Sequence, residues 1–181
     1  EAHEIGFGGS GRNVGLVNAG LWLMPDLVEQ RLGPEAGRRL NETLAGAPDL
    51  VFSLIGNHGI ACEAVRNGTL HLAHSAAGLA ELQQRHEQLC RRGAPVHLLG
   101  AAETAAKTGT KRYRAAILDE RAGTIQPLGY ARGLAGAAGR AGVRIFIHSP
   151  AQDLNPQGAR WRISTPGGSV TADKVILAGN A

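Results

Sequence analysis

The sequence has 181 residues, and its 43% hydrophobic content is enough for a folded core. The formal net charge is +4, but lysines and arginines are scattered singly or in pairs and only 4% of the residues are aromatic. This pattern argues against a nucleic-acid-binding module. No stretch approaches the ~18 apolar residues of a membrane span, so we expect none.

The first 20 residues contain six glycines and are typical of a loop that runs from a strand end into a helix. This density indicates that the backbone passes close to something bulky or adopts a positive φ, and a phosphate-bearing cofactor is the obvious candidate. Gly6, Gly8 and Gly11 spell G-x-G-x-x-G, the dinucleotide-binding fingerprint. However, three of the five preceding residues are polar and predict no buried strand. A nicotinamide-dependent dehydrogenase and a flexible surface loop therefore both stay open.

The next segment is predicted to be helical. A short helix covers Pro25–Leu32, with proline in its first turn and Gly33 as its stop. From Pro34, apolar residues recur with a 3.6-residue spacing and predict a helix that ends near His58. We expect a kink or break in it at Pro48.

Two strand-like runs, residues 61–65 and 69–75, flank Asn67-Gly68, and this pair predicts a β-hairpin between them. His71 and His74 lie on the second run. Two histidines without a nearby third ligand do not make a metal site, so we expect no metal and solvent-facing histidines.

Ser75 is the predicted N-cap of a helix that ends at Gly93. Its predicted buried face carries Leu79, Leu82, His86 and Leu89, and its other Glu, Gln and Arg side chains are expected in solvent. Beyond it, a short strand or bend at 96–99, a helix at 101–109 and a strand at 113–119 are predicted.

The last third of the chain begins with a helix opened by Pro127 and closed by Gly142. A parallel strand is predicted at 143–147, a hairpin at 160–172 around Pro166-Gly167-Gly168, and a final strand at 172–181.

The chain has two cysteines, Cys62 and Cys90, which form no C-x-x-C motif. They are expected to be reduced thiols, buried or half-buried, which is consistent with a cytoplasmic location.

Three stretches together resemble one family: GFGGSGRNVG at 6–15, TIQPLGYARGLAGAAGRAGVRIF at 124–146, and ADKVILAGNA at 172–181. They resemble motifs of the FAD-dependent amino acid and amine oxidoreductases, the D-amino acid oxidase-like superfamily. The similarity is greatest to its gamma-glutamylputrescine oxidoreductase-like branch. The three stretches occur in the family's order and extend over nearly all of the chain.

The resemblance implies an α/β fold with an incomplete FAD/NAD(P)-binding, glutathione-reductase-like sheet. The predicted FAD-binding part is 1–58 and 122–181, and an inserted α+β substrate-side portion is predicted at 59–121. The resemblance also implies that the first G-x-G-x-x-G unit and a C-terminal part of the enzyme are missing. Exposed sheet edges would then be available for a homodimer.

The resemblance also implies the cofactor contacts. Glu1 would hold the adenosine ribose of FAD, and Ala151, where the family usually has valine, would meet the adenine through its backbone. The remaining expected contacts lie along the pyrophosphate and flavin: Ser10, Asn13, Val14, Gly15, Ala178 and Gly179. Arg12 would either add a charge-assisted contact to the cofactor or form a surface ion pair.

The activity implied for the parent protein is oxidation of an amine or amino acid to an imine, by hydride transfer to the flavin. No catalytic residue can be named from these motifs. The 181-residue chain alone is expected neither to bind FAD appreciably nor to turn over an amine. The alternative is a truncated, non-catalytic fragment that acts only as a structural or interaction module.

Overall fold

The computed structural model describes residues 1–179. Seven helices lie in this part of the chain: α1 Gly9–Arg12, α2 Pro25–Leu32, α3 Pro34–Ala45, α4 Ala47–His58, α5 Ala76–Arg91, α6 Ala101–Thr108 and α7 Pro127–Arg140. Eight strands accompany them: β1 Leu16–Val17, β2 Thr69–Ala73, β3 Val96–Leu99, β4 Ala115–Asp119, β5 Gly123–Thr124, β6 Asp153–Gln157, β7 Arg160–Thr165 and β8 Gly168–Ala172.

The chain divides into two compact units. The first unit contains Glu1–Val14, His58–Cys62 and the residues from Gln126 onward, and the second contains Gly15–Asn57 and Glu63–Ile125. The division predicted from the sequence instead placed 15–57 with the flavin-binding part. The assignment of residues to a flavin-binding part and to a substrate-side part stays a prediction.

The core of the second unit lies between α5 and an antiparallel sheet with strand order β2-β4-β3. Side chains from one face of the sheet and from α5 form one buried cluster: Ala73, Leu82, Val96, Ala115 and Ile117. Leu79 and Leu89 pack against it. The 3.6-residue spacing of leucines on α5 therefore did identify its core-facing side.

The predicted hairpin at Asn67-Gly68 is wrong. β2 pairs with β4, more than 40 residues further along the chain, in the register His71 opposite Ile117. Residues 61–65 form no strand, and only Val65 makes an isolated bridge, to Thr124. The buried β4 offers apolar partners that the local segment lacks, so non-local burial prevails over local turn propensity.

α5 begins as predicted, because the Ser75 hydroxyl accepts a hydrogen bond from the Gly78 N–H at 3.0 Å. The expectation that every Glu, Gln and Arg of this helix faces solvent is wrong. Arg85 and Gln88 are buried, at 7% and 4% exposure. Gln88 accepts a hydrogen bond from the backbone N–H of Asp26 at 3.0 Å, and Arg85 contacts the segment before α2, so polar anchors occupy this side of the helix.

The long helix predicted from Pro34 is two helices, α3 and α4, so the break expected near Pro48 is confirmed. α3 ends before Gly46, and α4 starts at Ala47 with Pro48 in its first turn, where proline costs no hydrogen bond. α2 and α3 pack closely at Gly37, whose missing Cβ would overlap the Glu29 backbone.

The first unit contains α1, α7 and an antiparallel meander of β6, β7 and β8. The predicted helix at Pro127 and the predicted hairpin are both confirmed.

The predicted strands at 143–147 and 172–181 are wrong within the described residues, since neither 143–147 nor 174–179 joins a ladder. A strand needs a neighbouring edge to bond. Within the 143–147 run, the Phe146 carbonyl accepts from the Glu1 nitrogen and the Val143 N–H donates to Ala138, and these bonds form no ladder. Asn180 and Ala181, the last residues of the second run, lie outside the described residues.

No helix in the described part of the chain is long and apolar enough to span a membrane.

Candidate functional site

The glycine-rich segment of the first unit is an ordered turn against α7. Gly6 has φ +77°, and a Cβ on it would lie 2.7 Å from Leu128 Cδ1. A Cβ on Gly11 would overlap the carbonyl oxygen of Gly6. At Gly8 an added Cβ meets nothing within 4 Å, so that side of the loop is open. The bulky neighbour at Gly6 and Gly11 is therefore protein, while Gly8 leaves a face that another molecule can approach.

The predicted contact residues within this loop have defined local roles. The Asn13 side-chain amide donates to the carbonyl oxygens of Gly9 and Ser10, at 3.0 and 3.1 Å. The Arg12 guanidinium lies 4.8 Å from the centroid of the Phe7 ring. Ser10 is exposed. Asn13 thus closes the one-turn helix α1, and Arg12 makes a cation–π contact on the surface.

Glu1 and the segment before Ala151 are brought together. The Glu1 backbone nitrogen donates to the Phe146 carbonyl at 3.0 Å, and the Glu1 carbonyl accepts from the Ser149 N–H at 2.9 Å. The Glu1 carboxylate is exposed and accepts from the backbone N–H of His3 at 3.2 Å. Glu1, the predicted ribose contact, is thus hydrogen-bonded to Phe146 and to Ser149, which lies two residues before Ala151, and the roles of Glu1 and Ala151 stay predictions.

The remaining predicted contacts are spread out. Ala178 and Gly179 lie in the exposed segment 174–179 beside Ile176, which is 90% exposed. Val14 is 83% exposed. Gly15 belongs to the second unit, where its carbonyl accepts from Ile125 N–H at 2.9 Å. Apolar side chains this exposed indicate a surface that another molecule or segment covers.

These groups suit part of an FAD molecule by their chemistry. The exposed Glu1 carboxylate bonds the His3 N–H through one oxygen and has further acceptor capacity for ribose hydroxyls, and the open face at Gly8 allows close approach of a phosphate group. Their assignment to FAD stays a prediction. Within residues 1–179, no group of three His, Cys, Asp or Glu side chains is placed to hold a metal ion.

A cavity of about 1170 Å³ in the second unit was not anticipated from the sequence. It lies between α5, the edge strand β2 and the segment before α2, and its lining includes Trp22, His71 and Arg85. The Trp22 and His71 rings are stacked, with centroids 4.8 Å apart and an interplanar angle of 25°. The sequence signal available for this cavity was the pair of polar residues Arg85 and Gln88 among the leucines of α5. Helical periodicity alone assigned both side chains to solvent, whereas they are buried.

His71 is half-buried, not solvent-facing as the strand alternation predicted. Burial lowers the pKa of its imidazole below the ordinary value, the positive charge of Arg85 lowers it further, and Glu81 opposes this change. Both charged groups lie on α5. His71 is therefore disposed to be neutral beside Trp22.

This pKa shift predicts how pH affects stability. Because the folded-state pKa lies below that of the unfolded chain, protonation favours unfolding, and stability is lost as the pH falls below about 6.5. We expect His71→Gln to flatten this loss between pH 7.5 and pH 5 in urea unfolding. The exposed His74 gives the matched control, and His74→Gln is expected to retain the wild-type profile. Equal acid destabilisation of both variants would show that His71 is not the titrating group.

Both cysteines are free thiols: Cys62 is buried in the first unit and Cys90 is exposed on α5. Burial raises the pKa of Cys62. The Cys90 sulfur lies 3.4 Å from His86 Nε2. The expectation that both thiols are at least half-buried is wrong for Cys90.

Comparison with known proteins identifies relatives along the whole chain. The family described as FAD dependent oxidoreductase matches residues 1–181. Gamma-glutamylputrescine oxidoreductase of Escherichia coli (strain K12) is 34% identical over 100% of this chain and 42% of its own length. Probable oxidoreductase OrdL of Rhizobium meliloti (strain 1021) is 30% identical over 99% of this chain, again 42% of its own length. The chain thus spans less than half of these relatives.

Among solved structures, glycine oxidase from Geobacillus kaustophilus superposes with a TM-score of 0.79 and 22% identity, over 98% of this chain and 47% of that one. This similarity shows the fold, an α/β fold of the FAD-binding oxidase type that is incomplete within these residues. Together with the family match over all 181 residues, it settles the classification. The chain belongs to the FAD-dependent oxidoreductase family.

Proposed function

We propose that the protein containing this chain is an FAD-dependent enzyme that oxidises the C–N bond of an amine or amino acid to an imine. The family match from residue 1 to residue 181 carries the proposal. The similarity to gamma-glutamylputrescine oxidoreductase supports a small amine or amino acid as the substrate class. The free thiols at Cys62 and Cys90 support a reducing, cytoplasmic location.

Residues of the first unit would hold the adenosine half of the cofactor. The Glu1 carboxylate would accept hydrogen bonds from the ribose hydroxyls. The backbone of Ala151, two residues after Ser149, whose N–H bonds the Glu1 carbonyl, would face the adenine. The Ser10 hydroxyl and the backbone of residues 13–15, 178 and 179 would border the pyrophosphate and flavin. Asn13 would act by holding α1 in shape, because its amide already donates to two carbonyls.

The flavin, when bound, supplies the hydride acceptor for this reaction, and the protein supplies binding and orientation. Arg12 could add a positive charge toward the pyrophosphate by leaving the Phe7 ring, or stay in its surface contact. We name no catalytic residue.

The proposal is tested on the natural gene product that contains this chain. It is expected to purify yellow and to release FAD on denaturation, as shown by absorbance and by chromatography of the released cofactor. A colourless product that does not respond to added FAD would refute the flavin assignment. Added NAD or NADP is expected to leave its fluorescence unchanged, and saturable quenching would favour the dehydrogenase alternative.

The 181-residue polypeptide itself is expected to bind FAD far more weakly than that gene product. Its one G-x-G-x-x-G stretch packs on α7 and is not preceded by a strand, so the usual pyrophosphate site is not formed by it. Every 1.4 kcal/mol lost is about tenfold in affinity. Calorimetric titration of both proteins with FAD makes the comparison, and equal affinities would contradict this expectation.

Glu1→Ala in the gene product is expected to weaken FAD binding by about 1–3 kcal/mol, the contribution of a hydrogen bond to a charged group. Glu4 provides the matched control, since it lies in the same exposed segment and its ion pair to Arg132 is 3.9 Å long. Glu4→Ala is expected to leave the affinity unchanged. If both variants bind FAD like the wild type, Glu1 is not the ribose ligand.

A second possibility is a non-catalytic structural or interaction module, and the exposed apolar residues at 174–179 favour it. Such a module, or a homodimer formed through exposed backbone edges, would reveal itself in sedimentation equilibrium. A concentration-dependent dimer without FAD binding by the gene product would favour the module. Flavin-dependent amine oxidation would exclude it.

A further inference from the structure

The cavity of the second unit contains a buried guanidinium whose hydrogen-bonding capacity is only partly used. The Arg85 side chain is 9% exposed. Its Nη2 donates to the Trp22 carbonyl at 2.6 Å, and its carboxylate partner, Glu81 Oε1, is 3.6 Å away. Its Nε is buried, and no group in residues 1–179 accepts a hydrogen bond from it. A buried donor without an acceptor is costly, so its position indicates where an acceptor belongs.

Arg85 has the longest ion pair among the arginines that line the cavity. Five arginines and four carboxylates line it. The other four arginines have closer partners than Arg85: Arg38–Glu42 at 3.3 Å, Arg91–Asp26 at 2.7 Å, Arg92–Glu29 at 2.8 Å and Arg121–Asp119 at 2.6 Å. Arg85 is thus both the most buried of these arginines and the one with the longest ion pair. A ligand carboxylate at hydrogen-bonding distance would pair with Arg85 more closely than Glu81 does.

The rest of the cavity near Arg85 is aromatic and aliphatic. Trp22 and His71 form a stacked pair on one side, and the Arg85 guanidinium carbon lies 5.9 Å from the Trp22 ring centroid. Leu82 and Ile117, both almost fully buried, also contribute to the lining. Small-molecule sites combine apolar walls with placed polar groups, and the part of the cavity around Arg85 has both.

We propose that this cavity binds a small organic carboxylate, with its carboxylate on the Arg85 guanidinium and its hydrocarbon body against Trp22 and Leu82. The carboxylate accepts the unused Nε–H and forms a closer ion pair with Arg85 than Glu81 does. A guanidinium recognises a carboxylate through charge-assisted hydrogen bonds in a fixed plane. The site uses no flavin contact, so it does not depend on the proposed oxidase function.

Trp22 provides a direct optical readout. In a Trp161→Phe background, which leaves Trp22 as the only tryptophan, hexanoate is titrated into the 181-residue protein and the fluorescence is recorded. We expect saturable quenching by hexanoate, weaker binding of butanoate because less apolar surface is buried, and no saturable response to the uncharged hexanamide. Equal responses to hexanoate and hexanamide, or none to either, would overturn the proposal.

Three variants distinguish ligand binding from a structural role of Arg85. Arg85→Gln is expected to weaken hexanoate binding about tenfold or more. Arg38→Gln removes an exposed arginine of the same cavity, already paired with Glu42, and is expected to leave binding unchanged. Glu81→Gln removes the competing carboxylate and is expected to tighten binding about threefold. A purely structural Arg85 gives no reason for this gain.

The test of the site remains decisive if circular dichroism shows that Arg85→Gln does not fold. In that case the hexanoate–hexanamide comparison and Glu81→Gln carry the test on folded protein. Unchanged or weaker hexanoate binding by Glu81→Gln would contradict the proposed competition and overturn the site.

Discussion

Gly11→Ala is expected to destabilise the first unit by about 3 kcal/mol, because the added methyl group would overlap the Gly6 carbonyl oxygen and approach Leu128. A backbone oxygen cannot rotate away as a side chain does, so α1 or the turn before it must move. The Gly11 N–H bonds the Gly8 carbonyl at 3.2 Å, and its protection should fall. Native-state hydrogen exchange and thermal unfolding measure the effect.

Gly8→Ala is the matched control within the same loop. A Cβ at Gly8 meets nothing within 4 Å, so stability is expected to change by less than about 0.5 kcal/mol. In the gene product, Gly8→Ala is expected to weaken FAD binding if the open face receives the cofactor. Equal stability of the two alanine variants would contradict the tight packing at Gly11.

Gly37→Ala is expected to lower the stability of the second unit by about 2 kcal/mol. Alanine is normally favoured over glycine inside a helix by about 1 kcal/mol. Here the added Cβ would overlap the Glu29 backbone, and overpacking costs about 1–3 kcal/mol, at the upper end where backbone must move. A net loss of this size corresponds to a fall in Tm of about 4–8 °C for a chain of this length.

At Gly56 on α4, the same glycine-to-alanine substitution is expected to have the opposite effect on stability. It is exposed, and an added Cβ meets nothing within 4 Å, so Gly56→Ala should stabilise by up to about 1 kcal/mol. Thermal unfolding of the two variants side by side separates packing from helix propensity. Stabilisation by Gly37→Ala would show that α2 and α3 separate without cost.

Local rules predicted the helices well, because their signals lie within a few residues. Proline at the start of α2, α4 and α7, and the Ser75 cap of α5, each act on the nearest turn. The β7–β8 hairpin followed from its glycine turn for the same reason.

Pairing of β2 was not predictable from the sequence in this way. Its partner β4 is distant in the chain, and burial of Ile117 and Ala116 selects it over the nearby Asn-Gly turn. The runs at 143–147 and 174–179 have strand-like composition, yet strand formation depends on a partner edge and not on composition alone.

The sequence pointed to candidate cofactor contacts in the first unit but not to the cavity in the second unit. Glu1 lies beside residues 146–149, and the roles of all the predicted cofactor contacts remain predictions. The Arg85 cavity was not foreseen, because a charged residue on an amphipathic helix is ordinarily assigned to solvent. Its burial depends on the Trp22 segment folding over it, which helical periodicity does not encode.

The division of the chain into two units also sets an order for folding during synthesis. The second unit contains no residue beyond Ile125, whereas the first joins residues 1–14 to α7, which is made only after residue 126. Domains generally fold as their residues emerge from the ribosome, so the glycine loop must wait for more than a hundred residues to be added. At ~5–20 residues per second, that leaves the loop without its α7 packing surface for several seconds. Early release of nascent chains should therefore yield a folded second unit and a protease-sensitive N-terminus.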